Sequence, residues 1–196
     1  GVSTGKPLSD ISDYVAAMRA NEKFGGQLPP IYLAALRNKM LQLASDIAEG
    51  AIWANASLSR MHSQLAEVPN ATRDGFFLSN MIPTVIDDDV EAARAVNRRT
   101  LTGYVSLPNY RNYWRAAGYV EEMDAIEAAI EAGNKDILPS LMSDKWLEDN
   151  TISGSASHVR ARFEEWAHAG VTPIAVMSST TGGQVKAINQ LFDVYS

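Results

Sequence analysis

The chain contains no cysteine, which removes disulfide staples, thiolate nucleophiles and thiolate metal ligands at once. Histidine is scarce as well. His62, His158 and His168 are the whole set, no two at ligand spacing, and all fall within expected helices on their surface side. That pattern gives no ground for a metal centre. No apolar run comes near the ~20 residues that a membrane span needs. No cluster of Lys and Arg stands out against a net charge of −6, which argues against a nucleic-acid surface. The N-terminus, GVSTGKPLSD, lacks the charged-then-apolar layout of a secretory signal. A soluble cytoplasmic protein without a membrane or nucleic-acid partner is the simplest expectation.

What is present is apolar and periodic. At 196 residues and 46% hydrophobic content, the chain can bury one sizeable core, so a single domain over residues 1–196 is the default. The most informative stretch is residues 29–57, PPIYLAALRNKMLQLASDIAEGAIWANAS. Two prolines open it in an extended conformation. The apolar run at residues 31–36 has the length and character of a buried strand. Met40, Leu41, Leu43, Ala44 and Ile47 then recur at helical spacing, with Gly50 as the expected stop. Residues 51–54 form a second strand-like run. Strand, helix and strand with short joints is the crossover unit of a parallel sheet. The small polar residues after it lead into another helix, whose amides and positive end would suit a phosphate.

The same reading extends in both directions. Residues 9–20 predict a helix capped by Ser9 and Asp10, residues 21–27 a loop, and residues 58–66 a helix closing at Pro69. Residues 76–82 predict a third strand, ended by Pro83. Asp87, Asp88 and Asp89 cap a helix to about Tyr104. Three consecutive carboxylates cannot all face one Mg²⁺, so capping is the reading preferred. Residues 106–150, with Tyr110, Tyr113, Trp114 and Tyr119, read as a helical insertion holding a small aromatic core. Ser155 caps a further helix, residues 171–177 predict the last strand, and Val185, Ile188, Leu191 and Phe192 mark a closing helix.

Residues 29–57 resemble the fifth and sixth strands of luciferase-like monooxygenases. The likeness continues through Asp87-Asp88, Ala92-Ala93-Arg94, Leu107-Pro108-Asn109-Tyr110, Trp114, Gly118-Tyr119, Ile152-Ser153-Gly154-Ser155 and Ala169-Gly170-Val171. It covers almost the whole chain. Members are (β/α)8 barrels, which take ~250 residues, yet here the fifth-strand motif begins near residue 30. The resemblance therefore implies the C-terminal half of a TIM barrel, strands five to eight, with the helical insertion after strand seven and the N-terminal half of the barrel apparently absent.

The resemblance also implies function: an oxidoreductase using reduced FMN, or alternatively a deazaflavin coenzyme, on a small organic substrate. This chain would supply part of the cofactor site. Ala34 and Ala35 would border the ring, while Ala54, Asn55, Ala56 and Ser57 would hold the phosphate through backbone amides and a short polar side chain. Read without the family, Ala34 and Ala35 simply pack a tight interior. Arg37-Asn38 stands where many relatives carry Gly-Pro, which weakens a phosphate role for that first loop. Catalytic groups are not identified, and no His–carboxylate pair is expected at the strand ends. The exposed strand edges of a half-barrel call for the missing half, a second chain or a homo-oligomer. A non-catalytic flavin-binding or assembly subunit that dimerises is the alternative, and a barrel binding a sugar phosphate at residues 55–57 is a third.

Overall fold

A computed structural model describes residues 5–195; residues 1–4, on which the reading of the N-terminus partly rests, lie outside the described residues, as does residue 196. The chain divides into two compact units. One takes the residues up to Trp53 together with Ser63–Leu78, the other Ala54–His62 with the chain from Ser79 onward.

In the first unit, α1 (Pro7–Ala20) starts two residues earlier than the expected Ser9 cap. Pro7 takes the first turn, where a missing N–H costs nothing. The short helix α2 (Glu22–Gly25) replaces the expected loop, and the Glu22 carboxylate accepts from the Leu28 N–H. Strand β1 (Tyr32–Ala34) runs parallel to β2 (Gly50–Ala54), pairing Tyr32 with Gly50, Leu33 with Ala51 and Ala34 with Ile52. Helix α3 (Asn38–Ile47) is the crossover between them and buries Leu41 and Ala44 completely. The strand–helix–strand unit of the sequence is therefore present.

Gly50 does not stop the helix. α3 ends at Ile47 with Ala48 already extended, and Gly50 opens β2. A Cβ at position 50 would lie 2.5 Å from the Phe77 carbonyl and 2.7 Å from Tyr32 Cδ1, so glycine is needed for close backbone approach rather than for a cap. The Phe77 N–H donates to the Glu49 carbonyl at 2.9 Å beside it. Arg73 ties down the end of α3 by donating to the carbonyls of Ser45 and Ala48.

Helix α4 (Leu58–Ala66) crosses the boundary between the units and matches its expected bounds. Strand β3 (Phe77–Ile86) crosses it too, and runs three residues beyond the expected stop at Pro83. Residues 79–83 pair with β5 (Thr172–Val176), after which Thr84, Val85 and Ile86 pair with β4 (Ile152–Gly154). Proline lacks an N–H, but here it sits at the exchange of partners, where β3 passes from one strand to the other. β4 was not foreseen as a strand, so the described residues hold five parallel strands rather than four.

Helix α5 (Val90–Val105) is capped by Asp89 alone, whose carboxylate accepts from the N–H groups of Glu91 and Ala92. It packs Ala93 and Val96 on Val85. The buried Asn97 amide donates to Ser153 Oγ at 2.8 Å and reaches the carbonyls of Ile152 and Pro83. The insertion comprises α6 (Pro108–Ala116), α7 (Val120–Glu131), a 3₁₀ segment (Lys135–Leu141) and α8 (Asp144–Asn150). Its core forms around Trp114 and Trp146, edge to face at 4.8 Å, an arrangement that aromatic quadrupoles favour. α9 (Ala156–His168), capped by Ser155, and α10 (Gln184–Asp193) complete the unit. The architecture is α/β, with parallel strands and many helices.

Candidate functional site

In parallel α/β architectures the working end is where strands run out into βα loops. In the first unit that end is β1. Ala34 is exposed there and Ala35 is buried. Tyr32 and Ala34 share a half-open strand face with Ile52, the cross-strand neighbour of Ala34, while Ala51 and Trp53 on the opposite face are fully buried. A methyl side chain at an open strand end leaves the backbone approachable by a flat ring. Arg37 follows as an exposed N-cap residue without a side-chain capping bond.

In the second unit the end of β2 is closed. Ala54 is half-buried, whereas Asn55, Ala56 and Ser57 are buried to 3% exposure or less. Asn55 takes a φ of 58°, a left-handed conformation that Asn tolerates better than most residues. Its N–H donates to the Met81 carbonyl and its own carbonyl accepts from Trp114 Nε1. The Ala56 N–H donates to Asn80 Oδ1, and the Ser57 N–H to the Tyr113 hydroxyl at 3.1 Å. Ser57 Oγ donates to Asn150 Oδ1 at 2.6 Å, an oxygen that also accepts from Trp114 Nε1. Ser59 gives both its N–H and its O–H to the Asp149 carboxylate, at 2.8 and 2.7 Å. The amides that the sequence reserves for a phosphate are thus engaged by the chain itself. Burial pushes the Tyr113 phenol up to about 12, and it raises Tyr119 as well, with the Asp149 charge adding to the effect.

Two donors in this region have no partner: the side-chain Nδ2 atoms of Asn55 and Asn80, both fully buried. Ser79 and Asn80 lie inside β3, which continues to Ile86. The true ends of β3 and β4 border a cleft of about 260 Å³ lined by Asp88, Arg94, Glu148, Gly154, Ser155 and His158. His158 Nε2 lies 3.1 Å from Glu148 Oε1, so a His–carboxylate pair does stand at a strand end, contrary to expectation. Gly154 makes room for it, since a Cβ there would meet the imidazole at 3.1 Å. His62 and His168 are exposed. Among the described residues no group of three or more His, Asp or Glu could hold a metal ion, and no helix is long and apolar enough to cross a membrane.

The end of β1 is thus open, and, in the second unit, residues 55–57 have no unoccupied backbone amide. With Asn80, the residues Asp149 and Asn150 complete the second-unit network, and these two were not singled out in the sequence. Only the run Glu148-Asp149-Asn150 ahead of the Ile152 motif hints at them.

A family model described as luciferase-like monooxygenase matches residues 7–173. Among solved structures, the coenzyme F420-dependent tetrahydromethanopterin reductase from Methanopyrus kandleri is similar, with a TM-score of 0.67 and 23% identity over 83% of this chain and 48% of that one. An F420-dependent secondary alcohol dehydrogenase in complex with an F420-acetone adduct gives a TM-score of 0.55 and 16% identity, over 85% of this chain and 47% of that one. These likenesses are ones of fold. The chain spans about half the length of either structure. No curated protein matches it.

Proposed function

The chain belongs to the luciferase-like monooxygenase family, a family of oxidoreductases, and from that premise we propose that the protein uses a deazaflavin coenzyme, rather than FMN, on a small organic substrate. The deazaflavin reading draws support from the two structural neighbours, both named as F420-dependent. In this reading the chain is the C-terminal half of a (β/α)8 barrel and works with a complementary half, supplied in the same polypeptide or by a second chain.

The observation that carries the reading is the open strand face ending at Ala34. Parallel strands are ordinarily covered on both faces. Here Tyr32 is 44% exposed and Ala34 beside it is exposed. In the second unit the cross-strand pair Met81 and Ile174 is 41% and 37% exposed. Once bound, a deazaflavin supplies hydride transfer; the chain supplies position and shielding from water. Ala34 and Ala35 would border the ring.

Fluorescence titration with FMN and with a deazaflavin tests this, on the chain alone and joined to a complementary barrel half. The deazaflavin should bind at least tenfold more tightly, about 1.4 kcal/mol, and Ala34→Trp should abolish that preference without lowering the melting temperature. Uptake of neither compound by an assembled barrel removes the proposal. The same open face supports the alternative of a dimerising, non-catalytic subunit, which would bind the coenzyme without turnover.

A further inference from the structure

The β2–α4 loop carries its own anion. Ser59, in the first turn of α4, presents a backbone N–H and a hydroxyl, the donors a phosphate would take at a helix start. Both are held by the two carboxylate oxygens of Asp149, from α8 in the insertion. Tyr119 donates its hydroxyl to the same carboxylate at 2.8 Å. One step back along the loop, Ser57 is closed by Tyr113 and Asn150, and Asn150 is itself satisfied by donating to the Trp146 carbonyl at 2.7 Å. Every one of these partners lies in the insertion.

We infer that Asp149 permanently fills the anion position at the start of α4, so that this loop anchors the insertion to the strand ends and does not receive a phosphate group from any ligand. A phosphate arriving at Ser59 would have to displace a carboxylate that makes three hydrogen bonds, and would meet it as a like charge. The inference stands on these contacts and not on which coenzyme the protein uses.

Two variants and one spectrum test it. In the wild-type chain, saturating inorganic phosphate should leave amide hydrogen exchange at Ser57 and Ser59 unchanged. Asp149→Asn keeps the size and one acceptor but drops the charge; with Ser59→Ala it should speed exchange at those amides and lower the melting temperature by about 2–4 °C, the shift that the loss of one capping contact gives in a chain of this size. Affinity for FMN, measured beside riboflavin, which lacks the phosphate, should stay the same in both variants. Slower exchange at Ser59 on adding phosphate would overturn the inference. So would a tenfold loss of FMN affinity in Ser59→Ala with riboflavin unchanged, or a tenfold gain in Asp149→Asn. Should neither flavin bind at all, the deazaflavin proposal still rests on its own titration, while the phosphate and exchange measurements decide this inference.

Discussion

Glu49 uses both carboxylate oxygens. Oε2 accepts from the Ile31 N–H at 2.8 Å and Oε1 from Arg19 at 2.6 Å. The Ile31 hydrogen bond, more than the Arg19 charge, holds its carboxyl below the ordinary value of 4.5. A carboxyl depressed in the folded state stabilises above its unfolded pKa, and that contribution is lost as pH falls through the folded pKa. Glu49→Gln should therefore lower the urea midpoint at pH 7, and the gap to wild type should close as pH drops below about 4.5. An equal gap at acid and neutral pH would refute this. At this scale the family resemblance singled out Ala34 and the small residues after β2; Ala34 lies exposed at a strand end, whereas Asn55, Ala56 and Ser57 are buried. The sequence could not pair His158 with Glu148. One sits on α9 and the other on α8 with β4 between them, and only the finished fold brings their side chains together.

Between β3 and β4 the staple is a single buried amide. Asn97 Nδ2 reaches Ser153 Oγ and the carbonyls of Ile152 and Pro83 from helix α5. Asn97→Leu keeps the volume but strands those acceptors in a buried setting. It should cost about 1–3 kcal/mol, read as a lower urea midpoint with an unchanged slope; a loss under ~0.5 kcal/mol, within the range of a surface change, would show the staple to be idle. The elements themselves were largely legible: the first crossover, α4 to the residue, the Asp89 cap and the helical insertion all follow periodicity and capping chemistry. The misses share a cause. Gly50 and Pro83 carry strong local signals, yet at both positions the neighbouring strand decides. Gly50 is required by the Phe77 backbone, and Pro83 is tolerated because the ladder changes partner there. β4 is three residues long and has no period to read.

Taken whole, the chain carries two units, a net charge of −6 and strand faces that stay open. Met81 and Ile174 are paired across β3 and β5, and Val185 and Phe192 on α10 of the same unit are also exposed. Open parallel strands attract a cover. Sedimentation of the isolated chain should show association that Met81→Glu with Ile174→Lys relieves. A dilute wild-type monomer that binds no hydrophobic dye would count against the half-barrel proposal.

The position of β3 also bears on how the polypeptide is made. Ser79 must wait for Thr172, 93 residues further along, before that stretch of backbone finds its lasting neighbour. A ribosome adds roughly 5–20 residues each second, so the edge of β3 that pairs with β5 stays unpaired for several seconds. An unpaired strand edge in that interval is the kind of surface that chaperones shield and that misassembly exploits.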